Sequence, residues 1–148
     1  TGVATTTIVS NLRVVGDLMF EGRHLASVAK GAFAGTPILG EVQTFTHNFG
    51  ATASFIRIVG GDTIGNTENL AFSIGTATSP DDDTVIAFCL AGGTGTGSAL
   101  ENRTNEILNA GGCASDDVVA DLVTSTANNF SIRFTTAGSV SLQWEAFR

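Results

Sequence analysis

The chain has no tyrosine, one lysine (Lys30), two prolines, two cysteines and two histidines among its 148 residues. So few titratable side chains leave little from which to build an acid–base or nucleophilic constellation, and the sequence reads as non-enzymatic. Charge is scarce too: 14% of residues are charged, against roughly 25% in an average soluble domain. The six arginines are scattered singly from Arg13 to Arg148, and the net charge is −7. Without a basic patch to neutralise phosphates, nucleic acid is excluded as an expected partner. No apolar run approaches the ~20 residues that a membrane-spanning helix needs. The opening Thr1-Gly2-Val3-Ala4 lacks the basic segment of a signal peptide, so the expectation is a soluble chain made in a cytoplasm, with no membrane partner. Cys89 and Cys113 have no Cys or His at ligand spacing, which argues against zinc. Two buried thiols, the favoured reading, or one disulfide remain open.

What the chain has in quantity is small, neutral and polar. Apolar residues make up 43% and glycine occurs 18 times. A surface of Thr, Ser, Asn and Gly suits strands and turns better than long helices, so the expected class is all-β. The length fits one domain. With so little charge to oppose self-association, part of the apolar surface is expected to end in subunit contacts, giving a homo-oligomer.

Residues 1–30 read as an extended N-terminal arm and residues 31–148 as an antiparallel β-sandwich or jelly-roll-like body. In the arm, Ile8, Leu12, Val14, Leu18, Met19 and Phe20 are apolar in a stretch too short to bury them by itself. They are the expected contacts with neighbouring subunits or a larger particle. One or two helical turns are predicted over 23–30, closed by Gly31. Strands follow over 41–49, 54–59, 70–76 and 84–91, separated by Gly60-Gly61-Asp62 and Ser79-Pro80-Asp81. Alternation in Leu70, Phe72 and Ile74 places that face in a core, whereas 84–90 is apolar on both faces, as in a central or interface strand. Ser98-Ala99-Leu100-Glu101 has the form of a capping box and predicts a short helix to about Ala110; a second short element over 116–123 could be helix or strand. Phe130, Ile132 and Phe134, then Val140, Leu142, Trp144 and Ala146, alternate on either side of Thr136-Ala137-Gly138, which predicts a terminal hairpin.

The search for chemistry turns up little. His47 sits between Phe45 and Phe49 on their face and reads as a core or interface residue; His24 reads as a surface or docking residue. Asp81, Asp82 and Asp83 could offer hard oxygens to a loop-bound cation or ligand, but the spacing lacks the alternate acids and distal Glu of a calcium loop, so a solvated acidic turn is favoured and no metal or cofactor is expected. The Gly-Thr repeat over 92–97 is not followed by the Lys-Ser or Lys-Thr of a phosphate loop. Trp144 falls on an apolar strand face, where core packing outweighs sugar stacking.

In the arm, Leu12-Arg13-Val14-Val15-Gly16-Asp17-Leu18 and then Glu21-Gly22 resemble the Val-x-Gly-Asp-Leu-x-x-x-Gly phrases of trimeric tail fibres and other virion proteins of tailed bacteriophages. The remaining Thr/Gly-rich body looks like the small decoration or cement proteins of phage capsids. The resemblance implies a viral structural protein without an active site, a trimer on the capsid surface of the virion, whose arm contacts the major capsid protein. The alternative is a tail-fibre or glycan-binding head in which residues 92–97 and 81–83 form the binding loops.

Overall fold

Period-two alternation is the rule along the body, and in the computed structural model it resolves into β-strands throughout. The structure describes residues 19–20, 23–24, 27–61, 69–91, 99–110 and 118–148. Among these the strands are β1 (Met19–Phe20), β2 (Arg23–His24), β3 (Val28–Gly35), β4 (Val42–Thr46), β5 (Phe55–Gly61) and β6 (Asn69–Ala77). They continue with β7 (Asp83–Ala91), β8 (Ala99–Thr104), β9 (Leu108–Ala110), β10 (Val118–Ser125), β11 (Asn129–Phe134) and β12 (Val140–Phe147). The expected all-β class is what the chain adopts: a six-stranded sheet, β3-β12-β5-β6-β7-β8, lies against a four-stranded one, β4-β11-β10-β9, and β1 pairs with β2 apart from both. Every pairing is antiparallel.

The core forms where the two inner faces meet. From the six-stranded sheet, Ile56, Ile58, Val140, Leu142 and Trp144 point inward; from the four-stranded sheet, Phe45, Leu122, Phe130, Ile132 and Phe134 answer them. Alternation makes this automatic: in β12 the intervening Ser141, Gln143 and Glu145 face out. Trp144 lies 5.3 Å from the Phe130 ring, edge to face, and 5.7 Å from Phe45, so the expected core role holds. Its indole leaves no room on the neighbouring strand. A Cβ at Gly31, paired with Trp144 across β3 and β12, would stand 2.7 Å from the ring.

Four expectations are corrected. The helix over 98–110 is instead β8 and β9: β8 pairs with β7 from Ala99 to Thr104, and Asn105, at φ 63°, turns the chain into β9. A capping-box pattern is local, whereas the ladder and the burial of Leu108 and Ala110 are tertiary, and these prevail. The turns over 23–30 are β2 and the start of β3, because Ala29, Gly31, Phe33 and Gly35 form an inward stripe of period two against β12. The body's first strand thus begins at Val28, within the last residues assigned to the arm. No helix occurs among the described residues, and the element over 116–123 is the strand β10.

The predicted terminal hairpin is also an arch between sheets. β11 pairs with β4 and β10, and β12 pairs with β3 and β5. Residues 135–139 carry the chain across, held by Thr135 N–H to the Val119 carbonyl at 2.9 Å and by Thr36 and Ser139 hydroxyls at 3.2 Å. Alternation reports one apolar face per strand. It does not distinguish two strands that share a sheet from two that face each other across a core.

The fourth correction concerns β6. Phe72 and Ile74 do not enter the core: they face outward, 40% and 44% exposed, and Ser73, Gly75 and Ala77 face inward. The cause is the segment before β9, which lies directly over β6. A Cβ at Gly75 would come within 1.7 Å of the Ile107 carbonyl oxygen, and the Ser73 hydroxyl accepts the Asn109 N–H at 3.1 Å. Only small inward side chains allow that approach.

Candidate functional site

Antiparallel register fixes what the outer face of the six-stranded sheet presents. One row across the sheet reads Ala32, Gln143, Val59, Ile74, Ile86, Asn102, and the next reads Ala34, Ser141, Gly61, Phe72, Phe88, Leu100. Ile86 is 53% exposed and Leu100 74%. Phe72 and Phe88 lie in contact, with ring centroids 5.4 Å apart and planes tilted by 51°. A third row, Lys30, Glu145, Arg57, Thr76, Thr84, Thr104, is polar, and Arg57 forms an ion pair with Glu145. An apolar centre bounded by hydroxyls and one ion pair has the layout of a protein-contact surface, and isolated surface hydrophobes would not cluster this way. The sequence marks residues 84–90 as two-faced, and Ile86 with Phe88 is the second face. Of its neighbours, Phe72 and Ile74 were expected in the core, and Val59 and Leu100 were not singled out. The signal for them was Ser73 and Gly75 between Phe72 and Ile74, residues too small to fill a sheet interior by themselves.

The three consecutive aspartates do not act together. Asp81 and Asp82 are exposed, and Asp82 accepts the Thr78 hydroxyl at 2.6 Å, closing the turn between β6 and β7. Asp83 is the first residue of β7 and is buried: its Oδ2 accepts the Leu122 N–H at 3.0 Å, while Oδ1 has no hydrogen-bond partner. A cavity of about 440 Å³ borders Asp81 and Asp83, with Asn105, Asp121 and Arg133 on its walls. Burial raises the Asp121 pKa, the Asp83 charge raises it further, and Arg133, 3.8 Å away, opposes both. Glu106 is raised by burial against the pull of Arg103 and Asn109. Among the described residues no three His, Cys, Asp or Glu side chains are grouped to hold a metal ion.

His47 is buried beside Phe49, ring centroids 4.5 Å apart. Its Nδ1 accepts the Phe49 N–H at 3.3 Å and its Nε2 has no hydrogen-bond partner. Burial lowers its pKa, and the Thr126 and Asn129 backbone opposes that shift. Cys89, on β7, is disulfide-bonded, which overturns the favoured reading of two thiols; the chain's other cysteine, Cys113, lies outside the described residues.

Of the expected arm contacts, Met19 and Phe20 form β1, paired with His24 and Arg23 respectively. Ile8, Leu12, Val14 and Leu18 lie outside the described residues, as do 92–97 and Asp116 with Asp117. Trp144 is locked in the core, so it offers no aromatic platform to a sugar. No helix among the described residues is long and apolar enough to cross a membrane. No family model, no curated protein and no solved structure matches this chain.

Proposed function

We propose that the protein is a structural component of a virion, a capsid decoration or cement protein that binds the outer shell as an oligomer and stabilises it. The observation that carries this reading is the outward apolar centre of β5 to β8. A single copy leaves Phe72, Ile74, Ile86 and Leu100 to water while its own interior at β6 is built from Ser73 and Gly75. Such a chain reaches its full burial only in an assembly. The arm motif over 12–22 supplies the virion context, and the disulfide at Cys89 suits a protein that ends on the outside of a particle, where thiols are oxidised. Function then follows from multivalency. Several weak contacts made by one oligomer add their free energies once the first has formed, so neighbouring shell subunits are tied together without chemistry.

The test is cosedimentation of the purified chain with undecorated capsids, followed by heating of the decorated particles. Binding that saturates at a fixed ratio, with a raised disruption temperature, supports the reading. A chain that stays in the supernatant and binds host cells or glycans instead would move it to a fibre or receptor-binding head.

A further inference from the structure

The outer face of the six-stranded sheet has a raised half and a hollow half. On β6, β7 and β8 the outward residues of the two upper rows are large. On β3, β12 and β5 the same rows hold Ala32, Ala34, Ser141, Gln143, Val59 and Gly61. A hollow of about 390 Å³ opens on that second half, walled by Lys30, Arg57, Gln143 and Glu145 with Ala32 and Val59. Knob and hollow therefore belong to one surface of one chain.

We propose that this face is the interface between two copies of the chain, packed face to face about a two-fold axis that runs along the strands between β5 and β6. The inference rests on the reading of this face as a contact surface and names its occupant. Rotation about that axis lays β6 over the partner's β5, β7 over the partner's β12 and β8 over the partner's β3, with row heights preserved. Large then meets small away from the axis, while beside it Ile74 packs on the partner's Val59, apolar against apolar. Phe72 faces the partner's Gly61, Phe88 the partner's Ser141, and Leu100 the partner's Ala34. Ile86 faces the partner's Gln143, at the hollow, and by symmetry the partner's Ile86 enters the hollow of the first copy. Self-complementarity of this kind is what an isologous contact requires.

Charge favours a second copy as the occupant. The charged residues of the three rows, Lys30, Arg57 and Glu145, lie opposite the partner's Thr104, Thr76 and Thr84, so no charge meets its like. The chain as a whole carries −7, yet the three rows of this face carry two cations and one anion, so two acidic copies can meet here without net repulsion between these rows. Area points the same way. Six strands at about 4.8 Å spacing and seven or so residues long give a plane of roughly 700 Å² per copy. Roughly 1,400 Å² in total falls within the range of stable interfaces, whereas the apolar half alone falls short. Aligned sheets pack within about 30° of each other, which keeps the rows in register near the axis. The symmetry is two-fold, in place of the three-fold that the phage resemblance implies.

Size separation with light scattering on the full chain tests this. The native chain is expected at twice 15.2 kDa. Ile86→Lys removes the knob and Ala32→Trp fills the hollow; both positions are exposed in a single copy, so far-UV circular dichroism should not change. Each variant should weaken dimerisation about 30-fold or more. Mixing Ile86→Lys with Gln143→Glu should restore a dimer, because one contact becomes a cation–carboxylate pair and the other stays native. A monomer or trimer of the native chain, or a dimer indifferent to both variants, would overturn the proposal. A dimer of this kind that ignores capsids would sink the decoration reading alone, and a capsid-binding chain whose oligomeric state neither variant alters would sink only the two-fold interface.

Discussion

The two halves of the six-stranded sheet obey opposite rules. In β12 and β5 the large residues, Trp144, Leu142, Ile56 and Ile58, point into the sandwich and the polar ones point out. In β6 the polarity is inverted, with Ser73 and Gly75 inside and Phe72 and Ile74 outside, and β7 is apolar on both faces, with Val85 inside and Ile86 and Phe88 outside. Equal apolar content therefore does unequal work. The first half stabilises the monomer, because its side chains leave water when the chain folds; the second half contributes little until another surface covers it.

The sharpest way to break this comparison is to truncate one large residue in each half. Trp144→Ala removes the ring that packs on Phe45 and Phe130 and should cost about 3–5 kcal/mol, read as lost denaturant midpoint at constant slope. Ile74→Thr on the inverted half should cost no more than about 1 kcal/mol in the monomer, since Ile74 keeps 44% of its surface in water after folding. Equal costs would show that the outer face is part of the monomer's own core.

Two intermediate effects sharpen the same contrast. Reduction of the disulfide at Cys89 should cost about 2–4 kcal/mol, measured as the drop in stability with and without a phosphine reductant. Gly75→Ala should cost about 1–3 kcal/mol, because its methyl group meets the Ile107 carbonyl and the segment before β9 must lift. A neutral Gly75→Ala would mean that small residues inside β6 are incidental and would leave the inversion of its faces without a cause.

How much of this was legible in the sequence follows from what a strand pattern encodes. The alternations at Phe130 to Phe134 and Val140 to Ala146 give the strands and their buried faces correctly, because each has one apolar side. They say nothing of sheet membership, so the arch read as a hairpin. Ser98-x-x-Glu101 resembled a helix start because the motif is local and the ladder with β7 is not. In β6 the alternation was real and its direction was inverted, since the covering segment at Ile107 lies more than thirty residues on and no local rule reports it. Asp83 illustrates the same limit. Adjacent aspartates look equivalent in a sequence, but the strand period sends Asp83 to the inner face and leaves Asp82 to cap the turn.

The smallest expected effect is one of pH, and it belongs to the four-stranded side. His47 is buried with an unpartnered Nε2, and burial lowers its pKa from the usual value of 6.5. A histidine that is harder to protonate when folded binds fewer protons in the native state than in the unfolded one. Its contribution is fully present above the unfolded pKa and is lost as pH falls from about 6.5 toward the lower folded value. Stability should therefore decline over that interval, and His47→Gln should flatten the decline while leaving the region above neutrality little changed. Asp121 and Glu106, both raised, act with the opposite sign at lower pH, where protonation in the folded state relieves a buried charge. Denaturant midpoints at closely spaced pH values separate the two. An unchanged slope in His47→Gln would place the proton uptake elsewhere and remove His47 as the titrating group, even though the ring would still pack on Phe49.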